Sequence, residues 1–381
     1  MQAIYMDYNA TTPVREEVRE LFERTVRDTY GNPSSLYLVG RQAKALLDAS
    51  REKVAGAINA RPSEIVFTSG GSESVNLAIK GIALQRGGGH VITSAVEHPC
   101  VLETCRFLQT HGFAVTYVPV DDAGRVEISA VQEAIRDDTF LLTIMWANNE
   151  TGVLQKIEKI GELARDRGIV FHTDAVQVLG KIPIDVRALS VDLLSLSGHK
   201  VCAPKGVGAL YARRGIVFEP LIHGGGQERN LRSGTENVPG VAAMAEACRL
   251  AASEIDHESP RIRLLRDDLE KRILSGIPGS RVNGRGGDRL PNTSNVTFPG
   301  AEGEAVIIGL DEYEIAASSA SACAASHADP SHVLLAMGLS REDAEATIRL
   351  SLGKHSTAGH IMRLGEILPG IITRLRSLTD R

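Results

Sequence analysis

Val191-Asp-Leu-Leu-Ser-Leu-Ser197-Gly198-His199-Lys200 is an apolar run that stops abruptly on a serine, a glycine, a histidine and a lysine. Its length and punctuation read as a buried strand ending at a turn. A lysine held at such an end can lose its proton and act as a nucleophilic amine. A surface lysine near pKa ~10.4 stays protonated at neutral pH. Taken alone, the tetrapeptide also fits a lysine whose stem merely covers apolar surface while its head reaches water.

The neighbouring runs narrow that choice. Gly168-Ile-Val-Phe-His172-Thr-Asp174-Ala-Val-Gln177 ends in the same way. Further β-type runs at residues 90–96, 114–120, 140–147 and 208–212 alternate with helical patterns. Such alternation predicts an α/β fold with a mainly parallel sheet flanked by helices, and ligands gather at the carboxyl ends of such strands. His98, Asn148-Asn149-Glu150, residues 174–177 and residues 197–200 each follow one of these runs. Reactive side chains from four strand ends thus meet at one rim. An acid and a lysine there suit pyridoxal phosphate, with Asp174 holding the pyridinium proton and Lys200 forming the Schiff base.

The remaining composition excludes other classes. The 381 residues are 43% hydrophobic, enough for two domains and a large core. A net charge of −5 and the absence of any basic run offer no footprint for nucleic acid. The start, Met1-Gln-Ala-Ile-Tyr-Met-Asp7, resembles no signal peptide, and no stretch approaches the ~20 apolar residues of a membrane span, so a cytoplasmic protein is expected. Five irregularly spaced cysteines suit neither a disulfide framework nor an intrinsic metal site.

An Ala-rich helical pattern from 237 to 257 reads as a connector to a second, smaller α+β domain. Another helix is expected near 260–275, β-type runs near 294–298 and 305–310, and an amphipathic last helix around 358–378. The large domain is expected to span 13–257, and the small one 1–12 with 258–381.

Several motifs carry chemistry. Phe67-Thr-Ser-Gly-Gly71-Ser72-Glu-Ser74 opens a helix whose free amides, dipole and Ser72 hydroxyl can hold a phosphate; a plain N-cap with a glycine turn is the competing reading. Ser197 would add a hydroxyl. His98 could stack on a flat cofactor and exchange protons. Gln177 and Asn149 are neutral hydrogen-bonders suited to a phenolate oxygen and to a substrate, whereas His172 is expected to be packed within its strand. The small-residue segment 316–327 predicts a mobile loop carrying Cys323 as a reachable thiol, against an incidental cysteine near a helix start. Arg349, inside the apolar run 346–353, demands an anion: a substrate carboxylate, or an internal Asp or Glu. The basic loop Arg232-Ser-Gly-Thr235 could reach a neighbouring subunit's cofactor.

These residues resemble the cysteine desulfurases of the NifS and IscS type, in the pyridoxal-phosphate-dependent, class V aminotransferase-like superfamily of fold type I. The resemblance runs from Met6-Asp-Tyr-Asn9-Ala10-Thr-Thr-Pro13 and Gly31-Asn-Pro-Ser-Ser35 through the motifs above to Arg349-Leu-Ser-Leu-Gly353. Met145-Trp-Ala-Asn-Asn149-Glu-Thr-Gly152 and Arg232-Ser-Gly-Thr235-Glu-Asn237 are worded more like the nitrogen-fixation branch. The resemblance implies that Lys200 bonds the cofactor, Asp174 pairs with its ring nitrogen, His98 stacks on the ring and Gln177 binds the phenolic oxygen. Gly71, Ser72, Ser197 and His199 would bind the phosphate, with Thr235 of the second subunit in a homodimer. Asn149, Arg349, Asn9 and Ala10 would hold the substrate, and Cys323 would accept the sulfur.

L-cysteine would then become L-alanine, and the Cys323 persulfide would pass to a scaffold of the NifU/IscU type for iron-sulfur cluster assembly. There Cys323 could transiently ligate a cluster. A selenocysteine lyase or another pyridoxal-phosphate lyase or aminotransferase is the alternative enzyme; a non-catalytic protein docking scaffolds is the alternative of another class. Three positions depart from the family's pattern: Ala320 for a usual glycine, Gly71-Ser72 for Ala-Thr, and Tyr37 for a histidine.

Overall fold

A computed structural model describes residues 3–319 and 329–379. Its main sheet has the spatial order Ile65–Thr68, Gly208–Ala212, Leu193–Ser197, Val170–Asp174, Thr139–Thr143, His90–Ser94, Ala114–Val118. The last five pair in parallel. Gly208–Ala212 runs antiparallel to both neighbours. Only residues 198–207 connect it to Leu193–Ser197, too few for the dozen or so that a parallel crossover needs. Ile65–Thr68 therefore points the same way as the parallel five, and its carboxyl end joins theirs at one rim.

Both faces of this sheet are covered, so Thr139–Thr143 and Leu193–Ser197 are buried at every residue. Alternation sorts the side chains: Ile65, Phe67, Leu194 and Leu196 enter one apolar cluster, while Val66 and Leu193 enter the other beneath helix Gly71–Arg86.

A second sheet is antiparallel, in the order Ser318–Ser319, Thr347–Ser351, Thr293–Thr297, Arg281–Val282. It has its own core, including Val296, Phe298, Leu350, Leu364 and Leu368. Met6 lies in the same core, and Ile4–Tyr5 pairs in parallel with Ile315–Ala316, so the N-terminal arm packs with this sheet.

Two local expectations are corrected. Instead of separate helices near 237–257 and 260–275, one helix, Val238–Gly276, passes through Pro260. Proline costs a helix one hydrogen bond and crowds the preceding turn. Here Val241 and Met244 anchor one half in the main core, and Ile262, Leu269 and Ile273 anchor the other in the smaller one. Residue 257 thus falls inside a continuous helix. Residues 305–310, read as β-type, lie in helix Gly303–Asp311. Val306, Gly309 and Leu310 are buried at helical spacing while Ile308 is 66% exposed; a short apolar run of this kind does not reveal its period.

Candidate active site

The rim of the main sheet encloses a cleft of about 800 Å³. His90–Ser94 lies between Ala114–Val118 and Thr139–Thr143, so successive connections leave it in opposite directions, the arrangement that opens a ligand crevice. Gly71, Ser72, His98, Asn149, Asp174 and Gln177 line the cleft. Ser197, His199, Lys200, Asn9 and Ala10 complete the set of sequence-predicted residues found there.

Gly71 is the first residue of helix Gly71–Arg86. A Cβ on it would meet Val176 Cγ2 at 2.8 Å and approach Ser197 Cβ to 3.6 Å, so its lack of side chain lets the helix start close over the strand ends. The first amides of that helix, which have no intrahelical acceptor, form with the Ser72 and Ser197 hydroxyls a cradle suited to an anion.

Asp174 ends its strand 7% exposed, and its Oδ1 accepts the Val176 N–H at 2.9 Å. Burial pushes its carboxyl up to about 6, with the charge of Lys200 acting in the opposite direction. A protonated ring nitrogen against it would favour its ionised form. Lys200 follows Ser197 in the turn Gly198–Lys200, and its Nζ donates to Asn9 O at 2.5 Å and Ala10 O at 2.7 Å.

His98 is the N-cap of helix Pro99–Thr110. Its Nδ1 accepts the Cys100 N–H at 3.1 Å and lies 3.0 Å from Cys100 Sγ. An Nδ1 that accepts an amide proton has none of its own, so the imidazole carries its proton on Nε2. Burial, then the charge of Lys200, pulls His98 down to about 4. It is therefore neutral at pH 7. Burial and the charges of Lys200 and Lys205 likewise bring His199 down to about 4. His172 is packed as expected, buried between Thr143 Oγ1 at 2.8 Å and Ser195 Oγ at 2.9 Å.

Three expected residues do not line the cleft. Thr235 is exposed. Arg349 is 1% exposed and its Nη2 donates to Asp7 Oδ1 at 2.7 Å, the internal ion pair that its sequence context left open. Cys323, with Ala320, lies outside the described residues.

Sequence reasoning passed over other members of the site. Cys100 lines the cleft beside His98. Glu97 is fully buried, its Oε1 accepting from Ser94 Oγ at 2.7 Å and Met145 N–H at 2.8 Å, and burial pushes it up to about 8. Lys181 lines a second cavity, of about 680 Å³, which meets the first at Lys200. Position beside His98 was a signal for Glu97 and Cys100. For Lys181 the only one was its spacing four residues beyond Gln177.

A buried acid facing an amine, with an anion cradle between strand ends, defines a pyridoxal-phosphate enzyme of fold type I in architecture. The chain belongs to the aminotransferase class-V family, whose model matches residues 4–364. It is 48% identical to the cysteine desulfurase IscS of Methanosarcina thermophila, over 99% of this chain and 94% of that protein. Among solved structures, a NifS-like protein superimposes with a TM-score of 0.92 at 38% identity, covering 98% of this chain and 100% of the other. The structure described as SspA in complex with cysteine matches with a TM-score of 0.82 at 42% identity, covering 93% and 100%.

Proposed function

We propose that this chain is a cysteine desulfurase that turns L-cysteine into L-alanine and leaves the sulfur on Cys323 as a persulfide. The observation that carries the reading is the shared rim of Lys200, Asp174, His98 and the Gly71 cradle. These residues fit pyridoxal phosphate: the cradle would take its phosphate, Asp174 its ring nitrogen, Gln177 its phenolic oxygen and His98 its face. When bound, that cofactor would stabilise negative charge developing on the substrate's carbon.

The chain's own groups do the rest. Lys200 Nζ, held over Asn9 O and Ala10 O, is the base that takes the substrate's α-proton and returns a proton later. His98, proton on Nε2, is a neutral donor toward the cleft. The Cys323 thiolate attacks the substrate's sulfur. The Cβ–S bond breaks and an S–S bond forms; the electrons of the broken bond stay on carbon, which takes up a proton to become the methyl of alanine. Atoms balance as thiol plus cysteine giving persulfide plus alanine, with no external oxidant.

We further propose a homodimer in which exposed Thr235 completes the partner's phosphate site. The large unit would span 13–257, and the small unit 1–12 with 258–381. No helix among the described residues is long and apolar enough to cross a membrane, and we place the activity in the cytoplasm. The sulfur would pass to a scaffold of the NifU/IscU type, with the motif wording nearer the nitrogen-fixation branch.

The test is alanine and sulfide production from L-cysteine by wild type and Cys323→Ser. Loss of both with the cofactor still bound supports the reading. Equal turnover of selenocysteine by both chains, with no cysteine turnover in either, would favour a selenocysteine lyase.

A further inference from the structure

Gln177 lines the cleft, and its amide has two chemically different ends. The Nε2 end donates to Asn9 O at 3.0 Å. The Oε1 end accepts from Lys181 Nζ at 2.7 Å. Lys181 lines the second cavity and is absent from the lining of the cleft, so it approaches Gln177 from behind the wall that the cofactor would face. The same Nζ donates to Asn9 Oδ1 at 3.1 Å, and that oxygen also accepts from Asn292 Nδ2 at 2.9 Å. Asn9 in turn holds Lys200 through its backbone oxygen.

We propose that Lys181 is a positioning residue: it pins Oε1 of Gln177 away from the cleft, so that the remaining N–H of Nε2 faces the cofactor's phenolic oxygen as a donor. The inference rests on pyridoxal phosphate being the group bound there. The geometry carries it, because an amide oxygen has no proton to give and a lysine amine, charged or neutral, always has one. An amide released from that bond can turn its oxygen toward the phenolic oxygen, replacing a donor with a repelling lone pair. Burial, with the charges of Lys200 and Arg349, holds the Lys181 amine well below the ordinary lysine value. The pin works in either protonation state.

The experiment measures pyridoxal 5′-phosphate binding to the cofactor-stripped full chain, as a dissociation constant and as the absorbance maximum of the bound cofactor. Lys181→Met is expected to weaken binding roughly tenfold to a hundredfold, the worth of a hydrogen bond to a charged group, and to move the absorbance maximum. In a Gln177→Ala background the same change should alter binding less than about threefold, because its effect runs through Gln177. Lys181→Arg, which keeps a donor, should retain the wild-type maximum. Thermal unfolding of the stripped proteins controls for folding; should Lys181→Met fail to fold, Lys181→Gln, too short to reach Gln177, replaces it with the same expectation.

An unchanged maximum and affinity in Lys181→Met would overturn the proposal, as would an undiminished effect in the Gln177→Ala background. A wild-type chain that binds no pyridoxal phosphate would instead overturn the reading of the site itself.

Discussion

Arg349 and Asp7 form an ion pair, Nη2 to Oδ1 at 2.7 Å, that joins the start of the chain to a strand near its end. Arg349 Nη1 also donates to Asn149 O at 3.1 Å and Nη2 to Ser318 Oγ at 3.2 Å. The arginine expected to hold the substrate's carboxylate is thus already facing a carboxylate of the protein. Its Nε is buried without a hydrogen-bond partner among the described residues. A substrate carboxylate held by Arg349 would have to compete with Asp7 for the guanidinium.

Asp7→Asn should therefore weaken the substrate-free protein by about 3 kcal/mol, the lower end for removing one partner of a buried pair. L-alanine, which carries the carboxylate but no sulfur, should raise the melting temperature of Asp7→Asn more than that of wild type. Differential scanning fluorimetry with and without alanine checks this; equal shifts in both proteins would remove Arg349 from the carboxylate site.

Three buried acids contribute to stability with a pH dependence opposite to that of an ion-paired surface carboxylate. Burial raises Asp174 to about 6, Glu150 to about 7 and Glu97 to about 8. A carboxyl whose folded value lies above its unfolded value stabilises most below the unfolded value, and that contribution is lost as pH rises through the folded one. For Glu97 the window runs from about 4.5 to about 8. The depressed histidines, His98 near 4 and His172 near 3, act in the other direction, losing stability as pH falls below the ordinary 6.5. Glu97→Gln isolates the acid: the cofactor-free variant should gain several kcal/mol relative to wild type between pH 5 and 8. Urea unfolding at those two pH values reads it, and parallel pH profiles would refute it.

Ser331 anchors the chain just beyond residues 320–328. Its hydroxyl donates to Glu150 Oε2 and accepts the Leu334 N–H at 3.2 Å as the cap of helix His332–Ala336. Ser331→Ala removes both bonds and should cost about 1 to 2 kcal/mol. Stopped-flow and chemical-quench measurements should then show slower persulfide formation with the affinity for pyridoxal phosphate unchanged.

Lys200→Ala should bind pyridoxal phosphate only reversibly. Borohydride treatment followed by peptide mapping should label residue 200 in wild type and nothing at that position in the variant.

Much of this site was legible because its members follow strand ends: Asp174 and Ser197 are the last residues of buried strands, and Lys200 lies three residues beyond. Strand periodicity and glycine punctuation locate such ends without knowledge of the fold. The Arg349 partner was not legible, since 342 residues separate it from Asp7 and only the pairing of the terminal arm with the small sheet brings them together. Lys181 was hidden for a different reason: its role lies in which end of the Gln177 amide it touches, and sequence spacing carries no such orientation. Residues 305–310 were misread because a short, wholly apolar run suits a strand as well as a helix that packs one face against a core.

Mass spectrometry of the intact and digested protein after incubation with L-cysteine reads sulfur transfer to Cys323 without an intervening assumption. The expected result is the mass of one added sulfur atom on the peptide containing Cys323, removed by a thiol reductant and absent in Lys200→Ala. Alanine formed at the full rate with no added sulfur on that peptide, or sulfur found on Cys100 or Cys202 instead, would contradict it.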